Sequence, residues 1–124
     1  MTRPPPSVVA DFFRCMQAGA PDAEQMMALF TDDAVYVEPF SGTVSTHQGK
    51  PAIRAAMASG WERPLPDMTI SIDRVDLDGD VVRAEWTCRS PVLPGGAGRG
   101  VNHFTMRQGR IARLETTLLG APTS

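Results

Sequence analysis

The spacing of apolar residues changes once along this chain, near Asp67, from a period close to 3.6 to a period of 2. Before that point Val8, Val9, Phe12, Phe13 and Met16 recur at helical spacing. They predict a first helix with Ser7 as its N-cap, running to about Ala18, with Gly19 placed to end it. Asp22 followed by Gln25 has the form of a capping box. It opens a second, short helix whose apolar side is Met26, Met27, Leu29 and Phe30. Thr31, Asp32 and Asp33 read as a turn, and residues 34–38 as a strand that stops at Pro39, which cannot donate to a ladder. Strand alternation puts Ala34, Tyr36 and Glu38 on one face and Val35 and Val37 on the other. The valines are the expected core face, and Glu38 stands at a strand end where a cavity could open. Residues 40–48 read as a polar loop. Pro51 then sits in the first turn of a third helix, with Ile53, Ala56 and Met57 as its stripe and Ser59-Gly60 at its end. Residues 61–66 are a connection.

From Met68 the alternation is that of strands. Met68, Ile70 and Ile72 share one parity and Val75 and Leu77 the other, so a bulge is expected at Asp73-Arg74. Asp78-Gly79 signals a hairpin. Val82, Ala84, Trp86 and Cys88 follow on one face, against Val81, Arg83, Glu85, Thr87 and Arg89 on the other. A loop over residues 91–100, a strand over 101–106, a turn at Gln108-Gly109 and a last strand over 111–119 complete the pattern. Three helices and then a long antiparallel meander predict an α+β architecture, a cone-shaped curved antiparallel sheet with the helices on its concave face.

Composition narrows the class. At 124 residues the chain is expected to be one domain over residues 7–120, with tails at 1–6 and 121–124. Pro4-Pro5-Pro6 reads as a short, stiff, exposed segment. A net charge of −2 with scattered basic residues disfavours nucleic acid and membrane as partners. No apolar run is long enough to span a bilayer, and the N-terminus lacks the apolar stretch of a signal peptide, so a cytoplasmic location is expected. Two cysteines, Cys15 and Cys88, read as free thiols. Cys15 can line the helix side of a cavity, but no neighbouring base activates it. His47 and His103 lie far apart in sequence and predict no metal site.

The order helix-helix-strand-helix-meander, with ALFTDDAVYVEP near residue 30 and GKPAIR at Gly49, resembles the NTF2-like superfamily, which includes the SnoaL-like proteins and the ketosteroid isomerases. The resemblance covers about residues 8–120 and implies a cystatin-like cone. Within it, Glu38-Pro39 matches the isomerases' strand end that carries the general base. Asn102-His103-Phe104 matches the segment whose first residue donates to the enolate oxygen, and Phe12 stands where the isomerases have a donor tyrosine. The resemblance therefore implies Glu38 as base and Asn102 as oxyanion donor, and strand parity offers Tyr36 as the replacement donor. The limonene-epoxide-hydrolase branch needs an Arg two residues before an Asp, and Gly100 and Asn102 hold those places.

Parity argues for a pocket in its own right. If Asn102 faces inward, so do Phe104 and Met106, and Trp86 and Ala84 join them from the neighbouring strand. With Phe12 and Met16 from the first helix and Trp61 over the mouth, this is an apolar cavity with few polar groups, the make-up of a small-molecule site. A carboxylate in such a cavity is placed to shuttle a proton. The expected function is thus to bind a hydrophobic, carbonyl-bearing small molecule and move a proton alpha to its carbonyl, with no cofactor or metal. The alternatives are a non-catalytic ligand-binding module, an interaction domain whose cone is filled by its own side chains, and a SnoaL-like polyketide cyclase. His103 is expected on the outer sheet face, as are Val81 and Val101, and the resemblance implies a homodimer built on such a face. Arg74, Arg113 and Glu115 are expected to form an ion-pair group on the outer face or at the mouth.

Overall fold

A computed structural model of the chain describes residues 4–40, 42–62 and 65–120. Of the expected tails at 1–6 and 121–124, residues 1–3 and 121–124 lie outside the described residues. The first helix, α1 (Pro5–Ala18), begins on two prolines. A first turn tolerates them because its amides have no intrahelical acceptor to lose. Pro4, not Ser7, occupies the cap, so the stiff segment expected at 4–6 is largely helix. Val8, Val9, Phe12, Phe13 and Cys15 make the buried face of α1. Gly19 ends it at φ 78°, a left-handed value that glycine adopts without strain.

A 3-10 turn, Ala20–Asp22, leads straight into α2 (Ala23–Ala28). Asp22 caps α2 without the predicted side-chain bond. The strand β1 (Phe30–Glu38) starts four residues earlier than the alternation suggests. Phe30 pairs with Ile111 on the last strand, and the register breaks between Phe30 and Val35. The aspartates read as a turn therefore lie inside the strand, at its irregularity. Residues predicted as polar loop contain β2 (Ser45–Gln48), antiparallel to β1 with Tyr36 opposite His47. α3 (Lys50–Glu62) follows and extends through Trp61.

The remaining strands are β3 (Thr69–Asp78), β4 (Val81–Arg89), β5 (Ala97–Arg107) and β6 (Arg110–Gly120). β3 carries the expected bulge between Ile72 and Arg74. Asp78 pairs with Val81, so the hairpin turn is Gly79-Asp80, one residue beyond the predicted pair. The turn between β5 and β6 needs positive φ at both positions and has it, at Gln108 (53°) and Gly109 (78°). The six strands run in the order β2-β1-β6-β5-β4-β3. Every pairing is antiparallel except β1 against β6, which is parallel and makes the sheet mixed. Further register breaks in the β5–β6 ladder, at Arg99/Gly100 and Thr105/Met106, add local twist and bend the sheet into an open cone.

Aromatic rings fill that cone. Phe12 meets Phe13, Phe104 and Phe30 edge-on at centroid distances of 5.4, 5.1 and 6.3 Å. Such contacts contribute about 0.5–1.5 kcal/mol each beyond the burial of area. The inward face of β1 is the one carrying Ala34, Tyr36 and Glu38, with Ala34 and Tyr36 part of the core cluster. Val35 and Val37, expected to pack there, lie on the opposite side of the sheet, in register with Arg113 and Glu115. The strand has turned its more polar face inward, and that inversion positions the site.

Candidate functional site

Asn102 is the best-defined polar group inside the cone. Its Oδ1 accepts from Trp86 Nε1 at 3.0 Å and from Thr116 Oγ1 at 2.8 Å. An indole N–H can only donate, so the amide oxygen must face Trp86, and the orientation of the amide is fixed by chemistry. Both oxygen positions are then occupied, and the NH2 half is the part left to donate to something else. The three residues come together through register. Asn102 is opposite Ala84 on β4 and Thr116 on β6, and Trp86 is opposite Gly100, two residues back on the strand of Asn102. Trp86 lies flat on Gly100. A β-carbon there would fall 2.3 Å from Cζ2 of the indole, a separation no side chain tolerates.

Tyr36 faces this group from β1. Its hydroxyl is pushed above the ordinary tyrosine value first by burial and then by the negative charge of Glu38, with a hydrogen bond involving Thr116 opposing them. Tyr36 therefore remains a neutral phenol at any ordinary pH. Thr116 and Trp86 both donate to Asn102, from β6 and β4, and Tyr36 stands beside Thr116 from β1.

A cavity of about 40 Å³ lies against these residues, lined by Phe12, Phe13, Met16, Tyr36, Phe40, Ile70, Trp86, Asn102 and Thr116. Five of the predicted site residues therefore share one wall: Phe12, Met16, Tyr36, Trp86 and Asn102. Phe104 and Met106 do not line it. Both are buried in the core, Phe104 wedged against Phe12 and Phe13. Trp61, expected over the mouth, is not among the lining residues. It is half-buried on the last turn of α3 and packs at the Gly19 turn after α1.

Glu38 sits beside this wall, flanked by two lining residues, Tyr36 and Phe40. The backbone N–H of Phe40 donates to Glu38 Oε1 at 3.2 Å. The other carboxylate oxygen, Oε2, lies 3.7 Å from His47 Nε2. Sequence reasoning missed His47 because it had no strand for residues 45–48 and hence no parity to place that side chain. It missed Thr116 for a different reason. The last strand was given no parity, although Thr116 lies two places beyond the buried Leu114 and shares its face.

Burial pushes the thiols of both Cys15 and Cys88 up, so neither is a ready nucleophile. Among the described residues no group of three or more His, Cys, Asp or Glu side chains is placed to hold a metal. Among the same residues no helix is long and apolar enough to cross a membrane. Arg113 pairs with Glu115 at 3.1 Å on β6, whereas Arg74 pairs with Asp76 on β3, with two strands between the pairs. The three residues do not form one group. His103 is on the outer face, as parity requires, opposite Arg83 and Glu115.

A larger surface cleft, about 490 Å³, opens at the other end of β1 between Thr31, Asp32, Asp33, Arg107, Gln108 and Arg110. Within it Arg107 pairs with Asp33, and Lys50, outside its lining, pairs with Asp32. The wall of the cleft is mostly polar, and the smaller, mainly apolar cavity beside Asn102 is the better candidate for a hydrophobic ligand.

The open mixed sheet, three helices and a polar cluster inside the cone define an α+β fold of the NTF2-like superfamily. The chain belongs to the SnoaL-like domain family, whose model matches residues 9–114. No functionally curated protein matches it. A protein from Sinorhizobium meliloti, provisionally described as a polyketide cyclase, is 23% identical and has a TM-score of 0.74, over 90% of this chain and 94% of that one. A provisionally described ketosteroid isomerase from Kribbella flavida is 14% identical, with a TM-score of 0.72 over 95% and 79% of the two chains. A protein with a ketosteroid isomerase-like fold from Catenulispora acidiphila, solved with trimethylamine, is 18% identical, with a TM-score of 0.72 over 94% and 86%. At these identities the likeness is one of fold.

Proposed function

We propose that the cone binds a small, hydrophobic, carbonyl-bearing molecule and that Glu38 moves a proton alpha to its carbonyl. Asn102 donates to the developing enolate oxygen from its NH2 group. The observation that carries this reading is the locked amide: with Trp86 and Thr116 both on its oxygen, Asn102 presents a preorganised donor in a cavity wall. Preorganised donors of this kind are among the largest contributors to enolate stabilisation. Tyr36, a neutral phenol in the same wall, serves as a second donor to the ligand oxygen. No cofactor enters the reaction as written.

A cavity of about 40 Å³ is far below the several hundred Å³ of sites for drug-sized ligands. The ligand is therefore compact, or it displaces the long side chains of Met16 and Phe40 on entry. The same small volume favours a second reading, a non-catalytic binding or interaction domain whose cone is filled mainly by its own rings. Double-bond migration in a panel of β,γ-unsaturated ketones separates the two, measured for the wild-type protein and for Glu38→Gln. The catalytic reading expects the variant to be slower by at least about 100-fold. Equal rates would leave the binding domain as the function.

A further inference from the structure

The contact between Glu38 and His47 is not used by the reading above, and it has an unusual feature. His47 Nε2 is buried and has no hydrogen-bond partner, and among the described residues it is the buried side-chain nitrogen or oxygen left in that state. A buried polar atom without a partner costs about 1–3 kcal/mol, so a fold retains one where something else engages it. The nearest acidic atom is Glu38 Oε2 at 3.7 Å, about half an ångström beyond hydrogen-bond range. The other Glu38 oxygen is already held by the Phe40 amide, so Oε2 is the oxygen free to carry a proton. Position enforces the pairing. His47 is directly opposite Tyr36 in the β1–β2 ladder, its ring 5.9 Å from the phenol ring, which puts it on the face that Glu38 shares. About a quarter of the His47 side chain, 26%, remains open to solvent, against 11% for Glu38. The imidazole thus bridges a buried carboxylate and the bulk.

We propose that Glu38 and His47 form a proton-sharing dyad through which Glu38 exchanges its proton with solvent. This rests on Glu38 as the base. When Glu38 takes a proton from the α-carbon, the C–H bond breaks, its electron pair passes into the enolate, and an O–H bond forms at Oε2. That O–H donates to the Nε2 lone pair of the neutral, Nδ1-protonated imidazole. Transfer to Nε2 with release of the Nδ1 proton to water returns Glu38 as a carboxylate. The reverse sequence reloads it. His47 acts through Glu38 and is a positioning and relay residue.

The imidazole nitrogens report the dyad without any substrate. The chain has two histidines, so long-range proton–nitrogen correlation spectra of ¹⁵N-labelled protein resolve His47 with His103 as the internal control. Glu38→Gln is expected to shift the His47 nitrogens and change the balance of its tautomers, leaving His103 in place. An unchanged His47 overturns the dyad whatever the protein catalyses. The second arm uses His47→Gln, whose amide can still hydrogen-bond to Glu38 but cannot pass a proton. With cyclohex-3-enone in deuterated water, the solvent deuterium carried per molecule of product formed is expected to fall roughly tenfold in this variant. Equal deuterium incorporation in the two proteins overturns the relay. Absence of isomerisation in the wild type defeats the function proposed above, and the His47 resonances then decide the dyad by themselves.

Discussion

At the scale of single residues, the site depends on one missing side chain. Gly100 gives Trp86 a flat bed, and Trp86 in turn fixes the amide of Asn102. Gly100→Ala puts a methyl where the indole lies and must drive the ring off, breaking its bond to Asn102. Overpacking of this kind costs about 1–3 kcal/mol, expected as a lower thermal midpoint together with a red shift in tryptophan emission. A midpoint equal to that of the wild type would mean that the sheet relaxes around the methyl. The shared inward parity of Asn102 and Trp86 was readable from the sequence, whereas β1 was read with its valines towards the core. The function of Gly100 was not readable, because it follows from a strand-to-strand register that no local pattern encodes.

At the scale of elements, the long periodic segments were legible and the edges of the sheet were not. The helices and the β3–β4 hairpin follow from apolar spacing, bulge included. β2 escaped notice because a four-residue edge strand of Ser, Thr, His and Gln has no apolar face to announce it. The parallel pairing of β1 with β6 joins segments about eighty residues apart and is likewise invisible locally. The opposite edge, β3, is fastened by a side chain. Gln17, at the end of α1, accepts from the Ile70 amide at 2.7 Å and donates to the Met68 carbonyl, clamping the start of β3 as a neighbouring strand would. Gln17→Ala is expected to cost about 1 kcal/mol and to raise the hydrogen-exchange rate of the Ile70 amide well above those in the middle of β3. Unaltered protection at Ile70 would show that the β3–β4 ladder holds the edge without help.

At the scale of the whole molecule, the inward turn of the polar face of β1 ties stability to pH. Tyr36 is the chain's one tyrosine. Its folded-state value lies above the ordinary 10.0, so the stability linked to the neutral phenol is complete below 10.0. Above that the unfolded chain releases the proton while the folded one keeps it. Stability is then lost as pH rises towards the folded value, at up to about 1.4 kcal/mol per pH unit. Denaturation midpoints for wild type and Tyr36→Phe should diverge in slope only above 10.0, and parallel curves would place Tyr36 in water. The α+β class and the cone could be argued from element order alone. The volume of the cone could not, because it depends on how tightly Phe12, Phe13 and Phe104 interlock. The two indoles of the chain stand in different surroundings: Trp61 lies by the Gly19 turn, while Trp86 lies in the cavity wall with its N–H on Asn102. Once Trp61 is replaced by phenylalanine, the remaining fluorophore is wired to the donor of the site. A molecule that engages the Asn102 amide is then expected to alter the light the protein emits, so occupants of the cavity can be sought optically.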